Sequence, residues 1–423
     1  MTQEVKLSHP LRRFLQVLLL LWLVTLAMVW TGGVFHWPAK NWYPLFQWQD
    51  RFTDFTLNLE NFKYFRQPQF FKLARSPIVY PAPAQLTFEC FYLFGSVALD
   101  AYLFSCLFAV CAGAFLLGAA MLRRGLERKS TLAFLVLSAM LSYPMLFMAD
   151  RGNIEIVNAG LVALGIAAYW NKRWYLAATF FGIAVSFKIF PFVFLGLLLS
   201  SRKYLAVLYG IAICALTSIA SLWVLGPTFS DAVAGIATGL QYQKTDYVLQ
   251  IRPLEIGFDH SAFAVIKILT FQGFEGQQQH YLPLLKIYMA VAALGGILLY
   301  FWRIRRLPRA NQILTLTVAS VLLPPFSGDY TLVHLYIPWA VLVLISIQLP
   351  EGKKVPGLVF CFVCLAFLMA PESYLVFLGL RFAGQVKALV LLMLFLASMT
   401  YPFPESEVGV VSYSKKLDPV PQA

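Results

Sequence analysis

Long apolar runs alternate with short polar connections along the chain, and most lack the one-sided stripe of a soluble amphipathic helix. A bilayer core takes about 20 apolar residues per helical span. On that measure spans are predicted over residues 14–34, 100–122, 131–148, 154–170, 174–188, 190–200, 204–226, 283–302, 310–325, 332–349, 355–371 and 383–400. The expected fold class is all-α membrane, a polytopic bundle of about 12 transmembrane helices. The run at 190–200 is short, and Pro191 at its start predicts a kinked or broken helix. Two stretches interrupt the alternation. Residues 35–99 are rich in Trp, Phe and Tyr, and the apolar run 84–97 follows Tyr80-Pro81-Ala82-Pro83. That run reads as a helix lying at the membrane interface. Residues 227–282 mix polar and aromatic positions, with Gly273 and Gly276 as breakers. The predicted organisation is one membrane domain over 1–400 and a short polar tail over 401–423.

Composition agrees. The chain of 423 residues is 60% hydrophobic and 13% charged, about half the charged share of a soluble domain, with a mean hydropathy of +0.70. A net charge of +13 would suit nucleic acid if it formed a basic stripe on a soluble domain. Here Lys and Arg stand in short clusters between apolar runs, so no nucleic-acid partner is expected and the surrounding partner is membrane lipid. With the N-terminus inside, the clusters at 6–13, 123–129, 172–173, 202–203, 303–309, 353–354 and 415–416 hold 19 of the 33 Lys and Arg. All of them then fall on the cytoplasmic side, as topology requires. Both termini are expected in the cytoplasm, the two long stretches outside, and the chain in a cell membrane of the bacterial inner-membrane type. Phe14 to Trp30 follows Arg12 and Arg13 as a signal peptide would, but no small-x-small cleavage site follows, so a retained first span is expected. Cys361 and Cys364 form a CxxC inside an apolar span without a second ligand pair, which reads as packing.

Ionisable residues near a bilayer are functional suspects, and here they gather on the outer side. Asp54 lies in the first long stretch, Asp150, Arg151, Asn153 and Glu155 at one connection, Lys188 at the end of a span, and Asp329 and His334 around another. The plainer reading is that such groups snorkel, and it is favoured for Arg381 and Lys387. Lys188, set in Phe187-Lys188-Ile189-Phe190-Pro191, needs an anionic partner. An Arg151–Glu155 ion pair one turn apart is a sufficient structural role for Glu155, and His334 has the bland option of donating to a carbonyl.

At these residues the sequence resembles the GT-C superfamily of integral membrane glycosyltransferases, in particular glycosyltransferase family 87, which includes polyprenyl-phosphate-mannose-dependent α-mannosyltransferases. Four stretches carry the resemblance: Asp54-Phe55 followed by Tyr80-Pro81-Ala82-Pro83, Arg151-Gly152-Asn153-Ile154-Glu155, Gly182 to Pro191, and Pro325-Phe326-Ser327-Gly328-Asp329-Tyr330. Ala82 between the prolines, and Tyr330-Thr331 after the Ser-x-Asp, depart from the family's usual pattern.

The resemblance implies a GT-C-like bundle with interfacial helices in its two outer loops. It implies a polyprenyl-phosphate sugar donor, a sugar that is mannose, and a lipid or glycan acceptor. Asp54 would be the general base of a single, inverting displacement, within hydrogen-bond reach of the acceptor hydroxyl. Asp50 is its backup. The departing phosphate calls for cations, with Lys188 first and Arg252, His334 and Arg151 as further candidates. Asn153, Glu155, Asp329 and Tyr80 would hold sugar or acceptor, with Asp329 alternatively orienting a cation. No DxD motif is present, and neither cofactor nor essential metal is expected. Two other classes fit a polytopic chain: a lipid or glycan flippase, and a polysaccharide polymerase or ligase leaning on Arg252 and His260. A membrane subunit without chemistry is the third.

Overall fold

The structure is a computed structural model that describes residues 8–34, 51–67, 69–72, 78–122, 138, 142–253, 255–349, 355, 357–371, 376–377 and 380–404. These residues are almost wholly helical. The first helix is α1 (His9–Val34). The longer described helices leading up to the turn that follows Arg151 are α2 (Thr53–Asn61), α3 (Ala82–Tyr92), α4 (Ala98–Leu122) and α5 (Tyr143–Arg151), with a single helical turn at Gln69–Lys72 between α2 and α3. Next come α6 (Glu155–Trp170), α7 (Trp174–Phe187), α8 (Leu195–Ser200) and α9 (Tyr204–Leu225). The second long stretch holds α10 (Phe229–Gln243) and α11 (Ala262–Leu269), and the chain continues through α12 (Gln277–Trp302) and α13 (Arg309–Leu322). It ends with α14 (Tyr336–Gln348), α15 (Leu358–Leu368) and α16 (Ala383–Thr400). A two-residue antiparallel pair, Val376–Phe377 with Leu380–Arg381, precedes α16.

Among the described residues six helices are long and apolar enough to cross a bilayer: His9–Met28, Gly95–Gly113, Tyr204–Leu225, Gln277–Arg306, Asp329–Gln348 and Ala383–Thr400. The expectation of about 12 full spans is met only in part. The run at 131–148 lies mostly outside the described residues. Of the others that fall short, α13 is enclosed by protein. α13 has 14 residues, about 21 Å at 1.5 Å per residue, and residues 310–322 are all buried. Its polar side chains are tied to protein: Asn311 Nδ2 donates to the carbonyls of Ser398 (2.6 Å) and Tyr401 (2.8 Å), and Thr315 Oγ1 bonds Ser398 Oγ at 2.7 Å. A helix enclosed by other helices has no hydrocarbon to match, so neither length nor apolarity is forced on it.

Two cores flank α13. Phe14 of α1 packs edgewise on Phe362 of α15 and tilted on Trp339 of α14, both with centroids 5.9 Å apart. On the other side α6, α7 and α9 lie together. A Cβ on Gly182 of α7 would stand 2.4 Å from the Gly210 carbonyl of α9, so glycine lets these two backbones touch, as small residues do between membrane helices. The expected break after Lys188 is present, with a 3-10 turn over Phe190–Phe194 and then α8. The helix expected from residue 283 begins earlier, at Gln277 behind left-handed Gly276, and carries Pro283 inside it. The segment expected to lie at the interface forms α3 over Ala82–Tyr92, with Pro83 in its first turn, where the missing N–H costs nothing.

Candidate active site

The turn between α5 and α6 is built around two residues. Gly152 takes a left-handed conformation (φ 71°) that ends α5, and a Cβ there would fall 2.5 Å from the Phe55 Cβ of α2. Its N–H bonds the Ala149 carbonyl and that of Asn153 the Met148 carbonyl, both at 3.1 Å. Asn153 Oδ1 then accepts from the Glu155 N–H at 3.0 Å, an Asx turn into the next helix. The same amide donates through Nδ2 to Asp54 Oδ2 (3.1 Å) and to the Tyr80 hydroxyl (2.9 Å). One buried asparagine therefore joins the first long stretch, the α5–α6 turn and the start of α6.

Arg151 pairs with Asp54 Oδ1 at 2.6 Å, and next to it Arg51 pairs with Asp150 at 3.0 Å. These crossed pairs dock α2 on the turn. Glu155 Oε2 pairs with Lys188, and its Oε1 accepts from His334 Nε2 at 2.8 Å and from Asn158 Nδ2 at 3.0 Å. The expected Arg151–Glu155 pair is thus absent, because Gly152 breaks the helix on which the two would stand one turn apart. His334 donates to a carboxylate instead of a carbonyl, and its Nδ1 has no hydrogen-bond partner. The Lys188 ammonium lies 4.8 Å from the Tyr330 ring centroid and 5.8 Å from those of Tyr80 and Phe190, an aromatic surround that suits a cation.

Exposure sorts these groups. Asp54, Arg151 and Lys188 are 18%, 24% and 17% exposed, whereas Asn153, Glu155 and His334 are fully buried. The first three can touch a substrate; the second three hold them. Burial first, and then the Asp54 carboxylate, pushes the Tyr80 phenol well above its ordinary value, so Tyr80 stays neutral. Burial would lower Arg151, but the Asp54 carboxylate overrides it and the guanidinium is held charged.

The second long stretch carries a cation–aromatic cluster of its own. Burial, followed by Glu255, Tyr242 and Asp54, pushes Tyr247 up to about 12. Arg252 stacks over Tyr247 at 4.5 Å and is paired with Asp246 and with Glu255. Neither the Tyr247 stack nor the Tyr330 ring beside Lys188 was singled out from the sequence as a site group, since aromatic residues are common throughout this chain.

Asp329 faces elsewhere. Successive residues of a 3-10 turn diverge by about 120°, so Asp329 points away from Tyr330. Its Oδ2 accepts from Tyr143 and from Lys387, each at 2.7 Å, and its Oδ1 bonds His260 Nδ1 at 3.1 Å. Asp329, His260 and Lys387 are at most 1% exposed. Lys387 therefore does not snorkel: a buried carboxylate holds it inside. Asp259 Oδ1 accepts from the Ser327 and Ser261 N–H groups, which ties the Ser-Gly-Asp stretch to the second outer stretch. Asp50 lies outside the described residues.

Asp54, Tyr80, Arg151, Asn153, Glu155, Lys188 and His334 thus form one connected set, Arg252 is held in a separate cluster with Asp246, Glu255 and Tyr247, and Asp329 is tied into the framework by Tyr143, His260 and Lys387. The family model of glycosyltransferase family 87 matches residues 79–325, more than half of the 423 residues. No curated protein and no solved structure matches the chain. The match covers the α5–α6 turn, Lys188 and the second outer stretch, and on it the chain belongs to glycosyltransferase family 87.

Proposed function

We propose that this membrane glycosyltransferase moves mannose from a polyprenyl-phosphate donor to a hydroxyl of a lipid or glycan acceptor at the outer membrane face, with inversion. The observation that carries the reading is the partly exposed carboxylate of Asp54 standing beside Arg151, one asparagine away from the Glu155–Lys188–His334 set. Asp54 takes the proton of the acceptor hydroxyl as that oxygen forms its bond to the anomeric carbon. The bond from the anomeric carbon to the donor phosphate oxygen breaks, and polyprenyl phosphate leaves with the electron pair. Each Asp54 oxygen keeps a lone pair beyond those used by Arg151 and Asn153, so the acceptor hydroxyl has a place to bond. A phosphate leaving group departs without a protonating acid, unlike the alkoxide of a hydrolase. One base therefore suffices, and Lys188 and Arg151 meet the charge that develops on the phosphate. Asn153 and Tyr80 fix the carboxylate, while Glu155 and His334 fix Lys188.

The test is transfer by the purified full chain from polyprenyl-phosphate-mannose to candidate lipid acceptors. Asp54→Asn is expected to lower turnover by roughly a hundredfold or more, the scale of a lost general base, while the variant still binds donor. Wild-type turnover in Asp54→Asn would remove Asp54 as the base. Transfer from a nucleotide sugar and not from the polyprenyl phosphate would overturn the donor.

A further inference from the structure

The opposite end of the bundle holds a second built feature. Glu155 and Tyr169 sit near the two ends of α6, whose 16 residues span about 24 Å. Around Tyr169 lies a cleft of about 310 Å³ lined by Tyr169, Trp174, Ser200, Ser201, Leu307, Arg309 and Gln312. One cation and no acid line it. The three segments that build this end, residues 169–174, 199–205 and 300–312, together carry eight Lys and Arg and no Asp or Glu.

Topology alone explains cations on the surface of such an end, but not one set into a cleft among hydroxyl groups. Arg309 is half-buried, and among the described residues its side chain has no hydrogen bond or ion pair. Tyr169 and Ser201 hydroxyls bond each other at 3.1 Å, and Ser200 bonds Tyr300 of α12 at 2.9 Å. Gln312 is 5% exposed; its Nε2 is held by the Leu307 carbonyl at 2.9 Å, and its Oε1 has no partner. Lys203 sits over the Trp174 ring at 5.3 Å. The flanks are apolar and open: Tyr204, Leu205 and Leu208 of α9 and Leu298, Phe301 and Trp302 of α12 are all exposed.

We propose that this cleft binds the headgroup of an anionic glycerophospholipid. The phosphate meets the Arg309 guanidinium, whose planar fork suits it, and the Ser201 hydroxyl, which can accept from Tyr169, donates its own proton to a further phosphate oxygen. The acyl chains lie along the exposed faces of α9 and α12. A soluble phosphate would use the same polar groups but not those faces, and this distinguishes the two sources. The proposal does not depend on the reaction at Asp54.

Native mass spectrometry of the full chain in detergent tests it, with phosphatidylglycerol, phosphatidylcholine of the same acyl chains, and glycerol phosphate as probes. Phosphatidylglycerol is expected to stay bound when phosphatidylcholine is lost, and excess glycerol phosphate is expected not to displace it. Arg309→Gln is expected to lower its retention about tenfold, in line with loss of a charge-assisted bond. Ser201→Asp, which leaves Arg309 in place and adds a repelling charge, is expected to do the same and carries the test if Arg309→Gln fails to fold. Arg305→Gln, outside the lining, leaves retention unchanged. Equal retention of the two lipids, unaltered retention in both cleft variants, or displacement by equimolar glycerol phosphate would overturn the proposal.

Discussion

Lys188 and Arg252 are both candidates to meet a donor phosphate, but their surroundings leave them different amounts of charge to offer. Arg252 faces two carboxylates, Asp246 and Glu255. Lys188 shares the single carboxylate of Glu155 with His334 and Asn158, so more of its field remains for an arriving phosphate. Lys188→Met is therefore expected to cost roughly a hundredfold or more in turnover, the scale of a lost charge-stabilising donor, and Arg252→Gln less than about tenfold. Steady-state transfer rates check the order, and equal losses would refute it. Because Glu155 is buried, Lys188→Met also destabilises the fold. Adding Glu155→Gln to that variant is expected to restore the thermal midpoint without restoring transfer, which separates the two roles of the lysine. Part of this was legible in the residues: Arg151, Asn153, Glu155 and Lys188 stand out as polar groups beside apolar runs, whereas Asp54, in a polar stretch with Asp50, Arg51 and Glu60, is singled out by the family resemblance. Their pairing was not. Read as one helix, Arg151 and Glu155 are neighbours; the left-handed Gly152 turns them apart, and a backbone reversal of that kind does not show in residue spacing.

Between elements, the decisive link is Asp329 with Lys387, Tyr143 and His260, which binds α16, α5 and the second outer stretch to the turn before α14. Removing one member of a buried ion pair costs about 3–5 kcal/mol, because the other charge is stranded. Lys387→Met should therefore lower the thermal midpoint sharply, and Asp329→Asn added to it should recover a large part of the loss. Thermal unfolding of the two purified variants in detergent checks this; a single variant as stable as the parent would show that the pair carries no such cost. Lys387 looked like an interfacial lysine because α16 is otherwise apolar and the lysine stands near its start. What the spacing could not show is that this helix start lies under the second outer stretch, where a Cβ on Gly384 would come 2.4 Å from the Asp259 carbonyl. The same limit applies to the expectation of about twelve spans. Apolarity along the chain does not separate helices that face lipid from helices such as α13 that face only other helices.

For the whole molecule, the basic residues at 172–173, 202–203 and 303–309 and the Asp54 set occupy opposite ends, and α12, with 26 residues, is about 39 Å long, enough in length to cross a bilayer. Glu275 before α12 and Arg305 after it should then lie on opposite sides of the membrane. In a chain whose native cysteines are replaced, a membrane-impermeant maleimide added to intact cells is expected to label Glu275→Cys and spare Arg305→Cys. The reverse pattern would put the Asp54 end in the cytoplasm and abolish the case for a lipid-phosphate donor. The stitches across the structure also bear on where this enzyme can be cut. The region recognisable as family 87 stops at residue 325, yet Glu155 depends on His334 and the framework behind it on Lys387, while Asp54 comes before the region begins. A fragment trimmed to the recognisable region would keep the signature residues and discard Asp54, the histidine that holds Glu155 and the bolt that fastens the last helix.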